Sequence, residues 1–289
     1  MNRFWYFLWI TAALAAAATA VGQEAPEAQA IVRKSLEKDR FNFDRARDYT
    51  YVQRVEERAL DAEGRVKQTK SSTFDVVILG GRPYRKLVAE NDRPLAEERA
   101  NKIQRRFDRE VEKRSGEGER ERQARIAAEE KERQEGRGMV REIPEAFTFR
   151  LMGEGKVDGL PVWVIEAQPK AGYRGRAKRW QLLTKFRGRL WIAQGDYQWV
   201  KVEAETIAPV SFGWVLARLQ PGARLTFEQR RVNSEVWLPA RATTKVDARV
   251  ALFKKYRAEV DVVWKEYRKF QADSRVVGVE EMPAGKAER

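Results

Sequence analysis

The alternation of apolar and polar residues over positions 188–205 predicts two β-strands joined by a tight turn. A Gly-Asp pair supplies the turn, and apolar residues alternate with charged ones in the second strand, so the predicted hairpin has one apolar face. Three rings near the turn, Trp191, Tyr197 and Trp199, interrupt the polar face. We expect both faces to be covered there, either by ordinary core packing or by an apolar ligand held on a curved sheet.

Similar patterns predict a meander near the N-terminus. Tyr49 to Leu60, Val66 to Leu79 and Arg82 to Ala89 each have the composition of a strand, and glycine-containing turns separate them. Ahead of these strands, Gln23 to Arg40 carries apolar residues at helical spacing. This spacing predicts one amphipathic helix that packs on the sheet.

Residues 94–141 follow a different pattern, dense in Glu, Lys and Arg, with many opposite charges four positions apart. Such spacing is typical of a solvated helix. An apolar stripe that includes Ile103, Phe107 and Val111 can pack on the sheet, whereas few apolar residues recur after Gly118. We therefore expect a packed helix followed by a projecting or mobile one.

Strand patterns return after this segment and continue through most of the chain. A hairpin is predicted to close at Asp158 and Gly159. The whole pattern predicts an α+β protein that is mainly antiparallel β. Further strands are predicted over Val210 to Leu219, Ala223 to Val232, Val236 to Asp247 and Ala248 to Phe270, and residues 276–289 are expected to form a loose tail.

The segment Pro169 to Arg189 contains eight basic residues and no acidic one. We expect an exposed loop that contacts an anionic membrane surface or an acidic envelope protein, since each basic side chain near an anionic surface contributes about 1 kcal/mol. The alternative is a loop that is merely solvated. The predicted anion-binding residues are Lys170, Arg174, Arg176, Lys178, Arg179, Lys185 and Arg187.

Composition narrows the chemistry available to this chain of 289 residues. It has neither histidine nor cysteine, which excludes imidazole bases, thiol nucleophiles, disulfides, and the zinc, copper and haem sites that need those side chains. A hydrophobic content of 43% is enough for a buried core. The net charge of +14 favours anionic partners.

The first residues indicate where the protein acts. Asn2 and Arg3 precede the apolar run Phe4 to Ala20, which ends in small residues suited to signal-peptidase cleavage. We expect residues 1–22 to be a signal peptide and the mature protein to be soluble and periplasmic. The alternative is an inner-membrane anchor made by the uncleaved run, although that run is shorter than the roughly 20 residues needed to span a bilayer. Export removes nucleic acid from the expected partners.

Four stretches of the chain carry a resemblance to a known family: Gly159 to Ala167, Gly188 to Glu203, Glu235 to Pro239 and Tyr267 to Phe270. The sequence resembles the outer-membrane lipoprotein-sorting (LolA-like) family, whose members form an incomplete antiparallel β-barrel with covering helices. The resemblance implies one half-barrel domain over residues 23–275, with 94–141 as a charged helical insertion. It also implies binding of lipid or lipoprotein acyl chains, because characterised members shield such chains and relatives bind or sense lipoproteins.

These observations predict a monomeric binding protein without a cofactor. A groove that holds an acyl chain must be lined by large apolar side chains, and the chain has nine tryptophans, several of them on predicted strands. One alternative is an envelope scaffolding protein whose rings fill a closed core. Another is an enzyme with a carboxylate pair, but no pair stands out by its spacing. The predicted ligand-binding residues are Trp163, Trp191, Trp199, Trp214, Phe227 and Trp237.

The signal peptide can be tested by mass spectrometry. We expect the exported protein to begin near Val21 or Gln23, because the apolar run ends in small residues. The measurement is the intact mass of the exported protein, taken from the soluble and the membrane fractions of the envelope. A mass that still includes Phe4 to Ala20 would contradict cleavage and favour the membrane anchor.

Overall fold

The computed structural model describes residues 25–212, 217–250 and 254–269, which form an open antiparallel sheet and three α-helices. The predicted signal peptide and C-terminal tail lie outside these ranges. The helices are α1 (Ala25–Arg45), α2 (Glu97–Ser115) and α3 (Glu119–Ala146), with 3₁₀-helices at Ala46–Asp48 and Lys178–Lys185. The strands are β1 (Tyr49–Leu60), β2 (Val66–Leu79), β3 (Arg82–Glu90), β4 (Arg93–Pro94), β5 (Phe147–Val157), β6 (Leu160–Pro169), β7 (Phe186–Ala193), β8 (Trp199–Thr206), β9 (Val210–Phe212), β10 (Ala217–Leu219), β11 (Arg224–Val232), β12 (Val236–Val250) and β13 (Lys254–Lys269).

The sheet is open, because its two ends are not hydrogen-bonded to each other. Its strand order is β4-β3-β2-β1-β13-β12-β11-β8-β7-β6-β5, and β9 and β10 form a side branch on β12. Every pair of neighbouring strands is antiparallel. The predicted α+β class, an incomplete antiparallel barrel with covering helices, is confirmed. Among the described residues, no helix has the length and apolar character needed to cross a membrane.

One face of the sheet, here called the inner face, is apolar and packs against α1. Residues that pair across antiparallel strands share a face, so the strand registers define a row that crosses nine strands. Ala28, Ile31 and Val32 of α1 pack on the β5–β7 end of this row and bury it. Towards β1 and β2 the row is only half-buried. The row consists of Leu151, Ile165, Leu190, Val202, Phe227, Ala242, Val262, Val55 and Ser72.

A β-bulge sorts the rings of the central hairpin onto different faces. Trp191 pairs with Lys201, but the next residue, Ile192, pairs with Trp199 because the register shifts between them. A bulge inserts one extra residue and so reverses the expected alternation. Trp199 therefore packs on the inner face with the α1 core, whereas Trp191 lies on the opposite face, here called the outer face.

The charged insertion spans the opening of the sheet. On α2, Phe107 contacts Tyr84 of β3, with ring centroids 5.3 Å apart. The expectation that the second helix projects freely is wrong. Arg125, near the start of α3, donates a hydrogen bond to the Gly80 carbonyl in the β2–β3 turn. The other end of the helix leads directly into β5 and packs beside α1. α3 thus connects the two edges that the strands leave apart.

A buried polar network fixes α1 inside the curved sheet. The Asn42 amide donates to the Gln198 side-chain oxygen at the tip of the central hairpin, and its own oxygen accepts the backbone N–H of Trp237, 3.1 Å away on β12. The Trp237 indole N–H in turn donates to Asp196 at 2.8 Å. A buried polar group without a hydrogen-bond partner destabilises the folded protein. This network therefore specifies where α1 ends.

Replacing Asn42 tests the network. Asn42→Ala is expected to lower the free energy of unfolding by about 1–3 kcal/mol, because it leaves buried partners on Gln198 and Trp237 without their hydrogen bonds. Urea unfolding measures the change as a shift of the midpoint at constant slope. Asn101→Ala, on an exposed position of α2, is the matched control and is expected to be neutral or slightly stabilising. Equal effects of the two substitutions would contradict a structural role for Asn42.

Candidate functional site

An apolar cleft of about 400 Å³ opens at one end of the inner face. Its floor comes from β1, β2 and β13, its side from β12 and the 3₁₀-helix Ala46–Asp48, and its roof from α3. We call it the inner cleft. The side chains that give it its apolar character are Tyr51, Ile78, Pro83, Leu238, Trp264 and Tyr267.

Aromatic rings hold the floor of the inner cleft together. Tyr51 and Tyr267 lie 5.4 Å apart between ring centroids, and Tyr49 meets Tyr267 edge-on at 6.3 Å. The Tyr267 hydroxyl donates to the Pro239 carbonyl at 2.7 Å. Burial raises the pKa of Tyr267 and of Tyr51 above the usual value, so both rings are neutral at physiological pH. The floor therefore offers rigid, uncharged surface.

A cluster around Glu235 supports this end of the floor. The Glu235 carboxylate accepts hydrogen bonds from the Tyr49 hydroxyl at 2.5 Å and from Lys269 at 2.7 Å, and Arg45 lies 3.3 Å away. The bonds from Lys269 and Tyr49 hold the pKa of Glu235 below its usual range. Tyr49 is buried against Leu238, so the cluster ties the end of α1 to β1, β13 and the β11–β12 turn.

Ion pairs within α3, and between α3 and Arg82 at the start of β3, hold the roof of the cleft together. Arg125 donates to Glu117 at 2.9 Å and to Glu129 at 3.0 Å. Arg82 pairs with Glu132 and approaches Glu129 to 3.9 Å. The Glu129 side chain is only 10% exposed although it lines the cleft. The carboxylates of the roof are thus already paired with guanidinium groups, and the cleft has no excess of charge of either sign from these pairs.

The structure divides the sequence-predicted aromatic set among several environments. Trp163 and Trp199 pack against the α1 core, and Trp163 lies 5.0 Å from the Tyr197 ring. Trp191 belongs to the outer face, where Lys201 lies 5.0 Å above its ring. Phe227 is half-buried on the inner face. Trp237 is buried, and Trp214 lies outside the described residues. Their role in ligand binding stays a prediction, and none of the described members lines the inner cleft.

The residues that do line the cleft had a weaker signal in the sequence. Tyr51 stands in the alternating pattern of the first strand, and Trp264 stands in a long apolar-charged pattern near the C-terminal end. Alternation shows that such residues share a face with their neighbours but does not show which face is inner. Only the position of α1 decides that.

The basic segment is not a single exposed loop. Residues 178–185 form a 3₁₀-helix that buries Trp180 and Leu183, and the last basic residues lie on β7. Arg187 pairs with Glu205 at 3.0 Å, and Arg176 approaches the buried Glu142 to 3.4 Å. Lys170 and Arg174 are exposed and Lys185 is half-buried, while the side chains of Lys178 and Arg179 lie outside the described set. Binding of an anionic surface by this segment stays a prediction.

Glu142 connects the basic segment to α3. The Tyr173 hydroxyl donates to Glu142 at 2.6 Å. Burial and this carboxylate raise the pKa of Tyr173 to about 12, so the hydroxyl keeps the proton that it donates. This contact orders the first part of the segment against the helix and makes it a structural element.

The open sheet, the covering helices and the inner cleft together define a half-barrel with an apolar interior site. No protein-family model matches the chain, and no curated protein matches it either. Solved structures similar to it include a DUF1329 family protein from Desulfovibrio piger, with 10% identity over 88% of this chain and 97% of that one and a TM-score of 0.32. 

Two further solved structures carry names from the family that the sequence resembles. One is a putative outer membrane lipoprotein-sorting protein domain from Vibrio parahaemolyticus, with 13% identity over 84% of this chain and 95% of that one and a TM-score of 0.29. The other is a LolA superfamily protein from Nitrosomonas europaea, with 12% identity over 84% and 93% and a TM-score of 0.29. Similarities of this size establish no ligand or partner for this chain.

The roof can be tested by limited proteolysis. Arg125→Ala removes the side chain that contacts Gly80, Glu117 and Glu129, so we expect cleavage within α3 to become several-fold faster. Fragment masses locate the cuts. Arg122→Ala, an exposed residue one turn earlier in the same helix, is the matched control. Equal cleavage rates in the two variants would show that Arg125 does not hold the helix on the sheet.

Proposed function

We propose that this chain is an exported envelope protein that binds the acyl chain of a lipid or lipoprotein in the inner cleft and performs no covalent chemistry on it. The observation that carries the proposal is an aromatic, apolar cleft of about 400 Å³ on the inner face of an open sheet. Pockets for small apolar ligands measure roughly 300–1,000 Å³ and have mostly hydrophobic linings with few polar groups. The inner cleft fits both criteria.

The expected affinity follows from the burial of methylene groups. Burying a chain of about 14 methylenes at roughly 0.8 kcal/mol each gives on the order of 11 kcal/mol. Association costs at least about 4 kcal/mol of this. The remaining 7 kcal/mol or so corresponds to a dissociation constant in the micromolar range. Binding of this strength is reversible, which suits a carrier or a sensor of lipoproteins in the periplasm.

Substitution of a floor residue tests the proposal. Trp264→Ala is expected to weaken uptake of a fluorescent fatty acid about tenfold, since it removes a large apolar contact from the cleft. Titration of the probe against purified mature protein measures the dissociation constant. Trp191→Ala is the matched control, because this tryptophan lies on the outer face. This variant should take up the fluorescent fatty acid as well as the unsubstituted protein does.

The two variants separate three results. Weakening by Trp264→Ala alone supports ligand binding in the inner cleft. Weakening by Trp191→Ala alone would move the ligand to the outer face and contradict the proposed site. If the unsubstituted protein takes up no probe, the cleft is not a lipid site, and an envelope scaffolding role becomes the better hypothesis.

A further inference from the structure

A polar site lies on the inner face beyond the apolar cleft. On β1 the inner-face positions alternate from Tyr49 to Ala59, and Glu57 is the one charged residue among them. The Tyr256 hydroxyl, from β13, donates to the Glu57 carboxylate at 2.6 Å. Burial and Glu57 raise the pKa of Tyr256 to about 12, so the hydroxyl keeps this proton. The bond fixes a carboxylate on an otherwise uncharged strand face.

A cation stands directly across from this carboxylate. Lys70 of β2 is the pairing partner of Glu57 in the sheet, so both side chains lie on the inner face with their Cβ atoms about 5 Å apart. Lys70 is exposed. Within the described ranges, its ammonium forms no ion pair with Glu57 or with any other carboxylate. A fixed negative group and a free positive group therefore stand side by side.

The distance between this polar pair and the cleft matches a lipid. Glu57 is four residues from Gln53, the pairing partner of the cleft residue Trp264, and six from Tyr51; at about 3.3 Å per residue these separations correspond to roughly 13 and 20 Å. Between them the inner face carries Gln53 and Val55, and β13 contributes Val260 and Val262 beside them. One leaflet of a bilayer has about half of the roughly 30 Å hydrocarbon thickness, or about 15 Å. The floor can thus hold one acyl chain plus its link to a head group.

We propose that Glu57 and Lys70 form a head-group site for a lipid that carries both an ammonium and a phosphate, as in a phosphoethanolamine head. Glu57 accepts hydrogen bonds from the ammonium, and Lys70 contacts the phosphate as a point charge. The acyl chain then extends along the inner face to Trp264 in the cleft. This inference rests on the proposed function, because it needs the chain to lie in the cleft.

The test compares three probes that carry the same fluorescent acyl chain: a phosphatidylethanolamine, a phosphatidylglycerol and a fatty acid methyl ester. The unsubstituted protein is expected to bind the phosphatidylethanolamine about tenfold more tightly than the phosphatidylglycerol, since a charge-assisted hydrogen bond is at stake. Glu57→Gln keeps an acceptor for Tyr256 but removes the charge, so it should abolish this preference. Lys70→Met should weaken both phospholipids and leave the methyl ester unchanged.

Two control variants carry the same kinds of substitution, Lys to Met and Glu to Gln, at positions other than Glu57 and Lys70. Lys67→Met changes an exposed lysine at the register shift of the same strand, and Glu154→Gln changes a carboxylate on the edge strand β5. Both should behave as the unsubstituted protein does. The head-group site would be overturned if the unsubstituted protein bound the two phospholipids equally, or if its preference survived Glu57→Gln. Tight binding of the methyl ester would still support the cleft in either case. Failure of all three probes to bind would overturn both proposals.

Discussion

The structure depends on a helix that joins the two ends of a sheet whose strands do not close into a barrel. The two ends of the sheet, the β3–β4 hairpin and β5, have no hydrogen bonds to each other, and a curved sheet with free edges must be held at both of them. Helix α3 does this, since Arg125 binds the β2–β3 turn at one end and the helix continues into β5 at the other. Gly80 has a φ of +59°, so this turn has the left-handed backbone that glycine adopts readily. The inner cleft exists because the helix crosses this gap.

The two faces of the sheet are built for different surroundings. Along one outer-face row, Arg150, Glu166, Arg189 and Glu203 stand opposite one another on successive strands, and the first two are 2.7 Å apart. Opposite charges in direct cross-strand positions stabilise the pairing, whereas like charges would oppose it. Many of the charged side chains that are abundant in the sequence therefore pair with one another within the sheet. On the inner face apolar side chains remain accessible, and Leu225 of β11 is 41% exposed.

Most strands and turns could be predicted from the sequence, because period-two alternation and Gly-containing turns are local signals. β1 and β2 have the predicted bounds. The site could not be predicted in the same way. A single-residue bulge moved Trp199 away from Trp191, and the ion pairs that tie α3 to the sheet join residues far apart in sequence. Which tryptophan meets a ligand depends on the position of two helices, and strand periodicity contains no information about it.

The charges around the inner cleft limit what can hold a ligand there. Arg82 and Arg125 already pair with Glu129 and Glu132, the two carboxylates that line the cleft among the described residues. Breaking such a pair to bind a charged group would leave a partly buried partner uncompensated. Affinity in the cleft must therefore come from the apolar area that a ligand buries. A bilayer offers a ligand the same kind of apolar contact. If the cleft binds a lipid as proposed, the apolar contacts that favour uptake would also allow release into another apolar phase.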